Sequence, residues 1–276
     1  MISFIICSID PEMVKTLSDN IGTTIGCDYE IIVEDNRESP RGICEAYNEG
    51  ASKARYPYLC FVHEDVLFDG DNWGGAIEQQ LKEKKTGLVG FMGSTYKSKA
   101  PSGWNVYSRN NRSHFIQTIN GVKRYSSEVT GAFSPCEVLD GACMFIRKEV
   151  WQENPFDTSA CPGFHGYDLD MCIQVYSKGY TNYVCGTCWI EHFSEGSFSK
   201  DWALTTLYLH QSKWKDTLPF GRINSHIESR AYYVFLKNVS KLSWTKDEKE
   251  SLKRIIPYKF RHPILTLKSL LLLLKN

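Results

Sequence analysis

Three short apolar runs, at residues 3–9, 29–33 and 58–62, break off into polar residues: Ser8 and Asp10, then Glu34, Asp35 and Asn36, then His63, Glu64 and Asp65. Continuous β-prone runs of this length are the pattern of strands buried in a parallel sheet. The segments between them carry helical spacing. Met13, Val14, Leu17 and Ile21 recur over residues 11–25. Over residues 42–55, Ile43, Ala46, Tyr47, Gly50, Ala51 and Ala54 share one helical face, and Glu45, Glu49, Ser52 and Lys53 the other. Pro57 stops this crossover helix. The alternation predicts an α/β sheet, and ligands of such sheets bind beyond the carboxyl ends of the strands. The three polar clusters are therefore expected to converge on one crevice.

Further along, the pattern predicts a helix over 73–84 with Ile77 and Leu81 inward, and a strand over 86–92. Residues 93–137 turn polar and aromatic (Tyr96, Trp104, Tyr107, Phe115, Tyr125) with Gly103, Gly121 and Gly131 as breakers, and read as a long loop of the kind that is either functional or disordered. Residues 138–147 return to core character, 168–178 read as a helix ended by Gly179, and 180–190 as a strand leading to Glu191 and His192. After residue 214 the character changes. From Ser251 onward there is no Asp or Glu, while Lys253, Arg254, Lys259, Arg261, Lys268 and Lys275 surround Ile255, Ile256, Phe260 and a leucine run at 270–274. The apolar stretch is shorter than the roughly 20 residues that span a bilayer. The tail reads either as a segment lying on an anionic membrane surface or as a terminal helix packing on protein.

Lys plus Arg and Asp plus Glu both total 32, so no global field draws the chain to nucleic acid. The first residues lack a basic flank and a signal-type apolar core. Ten irregularly spaced cysteines suit free thiols in a reducing compartment. A cytoplasmic location is expected, at or near the inner face of the membrane if the tail binds it.

With residues 31–36 (Ile-Ile-Val-Glu-Asp-Asn), 58–65 (Tyr-Leu-Cys-Phe-Val-His-Glu-Asp), 139–147 and 166–172 in that order, the chain resembles the inverting family-2-type glycosyltransferases of GT-A fold over about residues 3–192. The resemblance implies a Rossmann-like nucleotide-binding sheet with an acceptor-side subdomain. It divides the chain into a transferase domain at 1–214 (nucleotide-sugar half 1–92, acceptor half 93–214) and a short helical extension at 215–276. It implies that Asp35 contacts the base and Glu64 the ribose, with Ser8, Asp10 and His63 beside them at the nucleotide. Asp65, joined by His192, would ligate Mn²⁺ or Mg²⁺ on the diphosphate, and Asp168 would deprotonate the acceptor hydroxyl. Asp140, Gly141, Asp170 and Trp104 fall on the acceptor side, with the aromatics of 96–125 as a sugar-stacking platform. Three departures stand out: His63 where an Asp is usual, Tyr167 in place of the Glu of a Glu-Asp pair, and Gln174 in place of an Arg.

The activity so implied is transfer of a sugar, with inversion, from a nucleotide-diphosphate-sugar such as a UDP-hexose to a glycan or lipid-linked hydroxyl in surface-polysaccharide assembly. A sugar-nucleotide binder without turnover is the alternative from another class. A nucleotidyltransferase lacks its Gly-rich loop here. Cys185 and Cys188 stand at zinc-ligand spacing, with His192 and Cys161 or His165 to complete a set, but strand character over 180–190 would point the two thiols to opposite faces.

Overall fold

The computed structural model describes residues 1–194, 196, 198–245 and 248, with 264, 267, 268, 271 and 272. Apart from those last five positions, the basic apolar tail from residue 251 onward lies outside the described residues. The first half runs β1 (Ile2–Ser8), α1 (Pro11–Thr24), β2 (Tyr29–Asp35), α2 (Ile43–Lys53), β3 (Tyr58–His63), β4 (Val66–Asp69), α3 (Gly74–Lys82), β5 (Thr86–Gly90) and β6 (Met92–Ser94). Then come β7 (Asn111–Ile119), β8 (Val122–Ser127), β9 (Phe133–Cys136), β10 (Val138–Leu139), β11 (Cys143–Arg147), α4 (Lys148–Glu153), α5 (Tyr167–Ser177), β12 (Thr181–Cys185) and β13 (Trp189–His192). The helices α6 (Lys200–Tyr208) and α7 (Ser225–Val239) follow.

Seven strands form the main sheet in the order β2-β1-β3-β11-β5-β12-β9. β1 is parallel to both β2 and β3, as the strand–helix–strand pattern requires, while β11 enters antiparallel between β3 and β5. Alternation along β1 and β3 buries both faces. Ile5, Leu59 and Phe61 join one core, and Phe4, Ile6, Cys60 and Val62 join the other. The predicted face of α2 is buried at Ile43, Ala46, Tyr47, Gly50 and Ala51. β2 differs from the expectation of a fully buried strand: it is the sheet edge, and six of its seven residues keep some exposure.

A second sheet has the order β10-β6-β7-β13-β4, with β8 paired to β7. Residues 93–137, expected as loop, therefore contain strands. The hairpin of β7 and β8 turns on Asn120 (φ 51°) and Gly121 (φ 77°), the left-handed pair that a tight two-residue hairpin needs. The predicted single strand at 180–190 is two strands in different sheets, β12 in the first and β13 in the second. That break carries β13 across to the strand-end crevice and delivers His192 there. No helix among the described residues is long and apolar enough to cross a membrane.

Candidate active site and metal centre

β3 ends in His63, and the chain reverses at Asp65 into β4, which pairs with β13 so that His192 stands opposite Val66. The Phe193 N–H donates to the Asp65 carbonyl at 3.1 Å. Two strand ends from different sheets thus bring three donors together. His192 Nε2 lies 3.7 Å and His63 Nδ1 4.0 Å from Asp65 Oδ1, and one ligand atom from each residue falls within 4.8 Å of the others. Burial, reinforced by the neighbouring His192, lowers the His63 pKa and favours the neutral imidazole that a cation needs. His63, expected at the nucleotide, thus stands beside Asp65 and His192 in a cluster that could hold a metal ion. The three form the one cluster of metal-ligating side chains among the described residues. Two imidazole nitrogens and a carboxylate oxygen fit a divalent transition cation.

Glu64 faces the other way. Its carboxylate accepts from the Ser8 hydroxyl (2.6 Å) and from the N–H groups of Ile9 (3.2 Å) and Asp10 (3.0 Å), which stitches β3 to the end of β1. The Asp10 carboxylate caps α1, accepting from the N–H groups of Glu12 and Met13. Asp35 is exposed at the edge of the sheet, where hydrogen bonds from Arg37 hold its carboxyl down to about 2. Ser8, Asp10, Asp35 and Glu64 stand at or just beyond the ends of adjacent strands, and none of them lines the cavity described next.

A cavity of about 690 Å³ opens from His63 and His192 and is walled by Asp140, Gly141, Trp104 and Asp168. Asp168 sits in the first turn of α5, half-buried. Burial, and then the Asp140 carboxyl, push it up to about 7, against the backbone N–H groups of the helix start and the Lys97 ammonium, which pull it down. Lys97 is fully buried and donates to the Ser102 carbonyl (2.8 Å), the Ser102 hydroxyl (2.7 Å) and the Gly103 carbonyl (3.2 Å). It pins the loop that presents Trp104 to the cavity. Burial lowers Lys97 to about 7.

Asp170 is not brought to this cavity. Its carboxylate is buried and accepts from Lys213 (2.8 Å), Trp214 Nε1 (2.8 Å) and Gln174 (2.7 Å), so the turn of α5 that faces Asp168 inward turns Asp170 into the core. Of the aromatic segment, Trp104, Tyr107 and Phe115 line the cavity, whereas Tyr96 is buried against Glu228 and Tyr125 packs outside on Trp189. The cavity also takes Trp202 from α6 and Ala231, Val234, Phe235 and Asn238 from α7, and no sequence motif marked the α7 residues. Lys200, at the start of α6, pairs with Glu248 at 2.8 Å.

Cys185 and Cys188 correct the expectation of opposed thiols. The break at Gly186 lets both sink into one apolar core, where no third ligand joins them among the described residues, so the zinc arrangement is not formed.

The glycosyltransferase-like family model matches residues 3–213. No curated protein matches the chain. Among solved structures, GalNAc-T7 with UDP, GalNAc and Mn²⁺ superimposes with a TM-score of 0.54 at 10% identity, covering 87% of this chain and 56% of that one. The chain thus spans little more than half of that relative. TarS of S. aureus (residues 1–349) with UDP-GlcNAc gives a TM-score of 0.51 at 10% identity, covering 98% and 79%. Both likenesses are of fold: a Rossmann-like GT-A sheet with a C-terminal helix.

Proposed function

The chain belongs to the glycosyltransferase-like family, and from that premise we propose that it transfers a sugar, with inversion, from a UDP-hexose to a hydroxyl of a glycan or lipid-linked acceptor. One observation carries this reading: two of the three clustered metal donors, His63 and His192, line the same cavity as the Asp168 carboxyl. A departing diphosphate requires charge neutralisation, an attacking alcohol requires a base, and inversion requires them on opposite faces of the sugar. UDP in GalNAc-T7 and UDP-GlcNAc in TarS support the donor class.

Asp168 does the proton work. Held near 7, its carboxylate is basic enough to accept the acceptor's hydroxyl proton and still largely ionised at slightly alkaline pH. As the alcohol oxygen bonds to the anomeric carbon, the bond from that carbon to the diphosphate oxygen breaks, and its electron pair leaves with the nucleoside diphosphate. His63, Asp65 and His192 would hold the cation, whose chemistry is to neutralise the leaving diphosphate. The nitrogen-rich donor set favours Mn²⁺ over Mg²⁺, which prefers an all-oxygen shell. Glu64 and Ser8 preorganise the β1–β3 edge for the ribose, with Asp35 beyond them for the base. Trp104 and Tyr107 offer faces for the C–H surface of an acceptor sugar.

We assign residues 1–214 to the transferase domain and the tail to an anionic membrane surface, where surface polysaccharide is assembled. A panel of UDP-hexoses assayed for hydrolysis and transfer with Mn²⁺, with Mg²⁺ and with chelator tests the activity. Turnover of at least one donor, abolished by chelator and restored best by Mn²⁺, is expected. Donor binding without turnover by any of them would favour a sugar-nucleotide binder instead.

A further inference from the structure

Tyr167 opens α5 beside Asp168, at the position where the family resemblance implies a Glu. Its ring is buried against Tyr47 and Phe156, with centroids 5.8 and 6.0 Å away. Its hydroxyl lies 2.6 Å from His63 Nε2 and 3.1 Å from the Gly141 carbonyl oxygen. A carbonyl only accepts, and a phenol carries a single proton. If the hydroxyl donated to His63, its lone pairs would face the Gly141 oxygen with no proton between them. All three atoms are satisfied when Tyr167 donates to Gly141 and accepts from an Nε2–H of His63. A neutral imidazole protonated at Nε2 keeps its lone pair on Nδ1. Nδ1 is the nitrogen that lies 4.0 Å from Asp65 Oδ1.

We propose that Tyr167 is a positioning residue for the cation: its hydroxyl, oriented by the Gly141 carbonyl, fixes His63 as the Nε2–H tautomer and leaves Nδ1 bare as a ligand. The inference rests on the cation site proposed above. It also accounts for glycine at position 141, because a Cβ there would stand 2.2 Å from the Tyr167 hydroxyl oxygen. Through adjacent residues of one helix start, the metal side and the proton-accepting side of the cavity are then held in register. Partners that orient a ligating histidine typically account for about 10–100-fold in metal affinity.

Two measurements on the full chain test it. Long-range ¹H–¹⁵N correlation spectra of the metal-free protein should show His63 protonated at Nε2 and bare at Nδ1, a result that depends on no variant folding. In Tyr167→Phe the two tautomers should mix, and Mn²⁺ titration should show affinity falling about 10–100-fold. In a His63→Ala background the same substitution should cost nothing further, because the hydroxyl acts through His63. A wild-type His63 protonated at Nδ1 would overturn the inference, as would unchanged Mn²⁺ affinity in Tyr167→Phe or an equal loss with and without His63. Absence of any Mn²⁺ binding by the wild type would instead overturn the cation site itself, with this inference falling as its consequence.

Discussion

Asp168→Asn should slow transfer severely and yet stabilise the protein above neutral pH, and both effects have one cause. Burial, with Asp140 close by, lifts this carboxyl from an ordinary 3.8 to about 7. A group whose folded pKa lies above its unfolded one holds more protons folded than unfolded between the two values. Stability therefore falls as pH rises through that window: the penalty is absent below the unfolded pKa and complete above the folded one. At about 1.4 kcal/mol per unit, the stretch from about pH 5 to the folded pKa amounts to about 3 kcal/mol. Asn has nearly the same shape and does not titrate. The stability of the variant minus that of wild type should therefore grow by about 3 kcal/mol between pH 5 and 8, with the pH 5 value absorbing any fixed difference between acid and amide. Urea unfolding of the metal-free proteins, followed by tryptophan fluorescence across that range, gives the difference directly. Transfer should drop by about 10²–10⁴-fold, the usual worth of a general base, with UDP-sugar affinity kept. A stability difference that stays flat with pH would refute the reasoning, because it would mean that Asp168 titrates as an ordinary carboxyl.

Lys97→Met should move the acid limb of the kcat/KM profile to higher pH, since the ammonium helps to hold Asp168 down; an unmoved limb would contradict that coupling. Asp170→Asn should cost about 1.5–3 kcal/mol of stability by weakening the hydrogen bonds its carboxylate accepts from Lys213, Trp214 and Gln174, with Lys213 keeping Asp157 as a partner, while the acceptor KM stays put; a raised KM with intact stability would instead make Asp170 an acceptor contact. Asp10→Ala should cost about 1 kcal/mol in thermal or urea unfolding through its lost helix cap, with donor affinity unchanged by calorimetry. Gly141→Ala should weaken Mn²⁺ binding by driving the Tyr167 hydroxyl off His63, again read by titration with the metal.

Much of the first half was legible because burial on both faces of a parallel sheet writes itself into local sequence. The predicted helices over 11–25, 42–55 and 73–84 end within three residues of α1, α2 and α3, and the polar residues after β1, β2 and β3 stand at neighbouring strand ends. The second sheet was not legible in the same way. Its strands β6, β7 and β13 put Met92, Ser113, Phe115, Gln117 and His192 against the cavity, so Ser113 and Gln117 interrupt the apolar pattern that marks a buried strand. Asn120-Gly121 was the available signal for the hairpin. At the site, Asp168 stands in the cavity with Asp140, Gly141 and Trp104. The role of His63 depends on β13 arriving from another sheet, and that of Asp170 on Lys213 and Trp214 far along the chain. Neither contact has a local signature. The part played by α7 likewise follows from its packing of Phe235 against Trp202, with ring centroids 5.5 Å apart.

The proposed transfer chemistry requires a divalent cation at the end of the cavity that His63 and His192 line. Crystals grown with MnCl₂ and UDP, measured at the manganese absorption edge, would locate the ion by anomalous scattering. The expected result is one peak bonded to His63 Nδ1, Asp65 and His192 Nε2, with diphosphate oxygens completing its shell at the end of the cavity that holds Asp168. A peak at any other cluster, or UDP bound at these strand ends with no ion beside it, would contradict it.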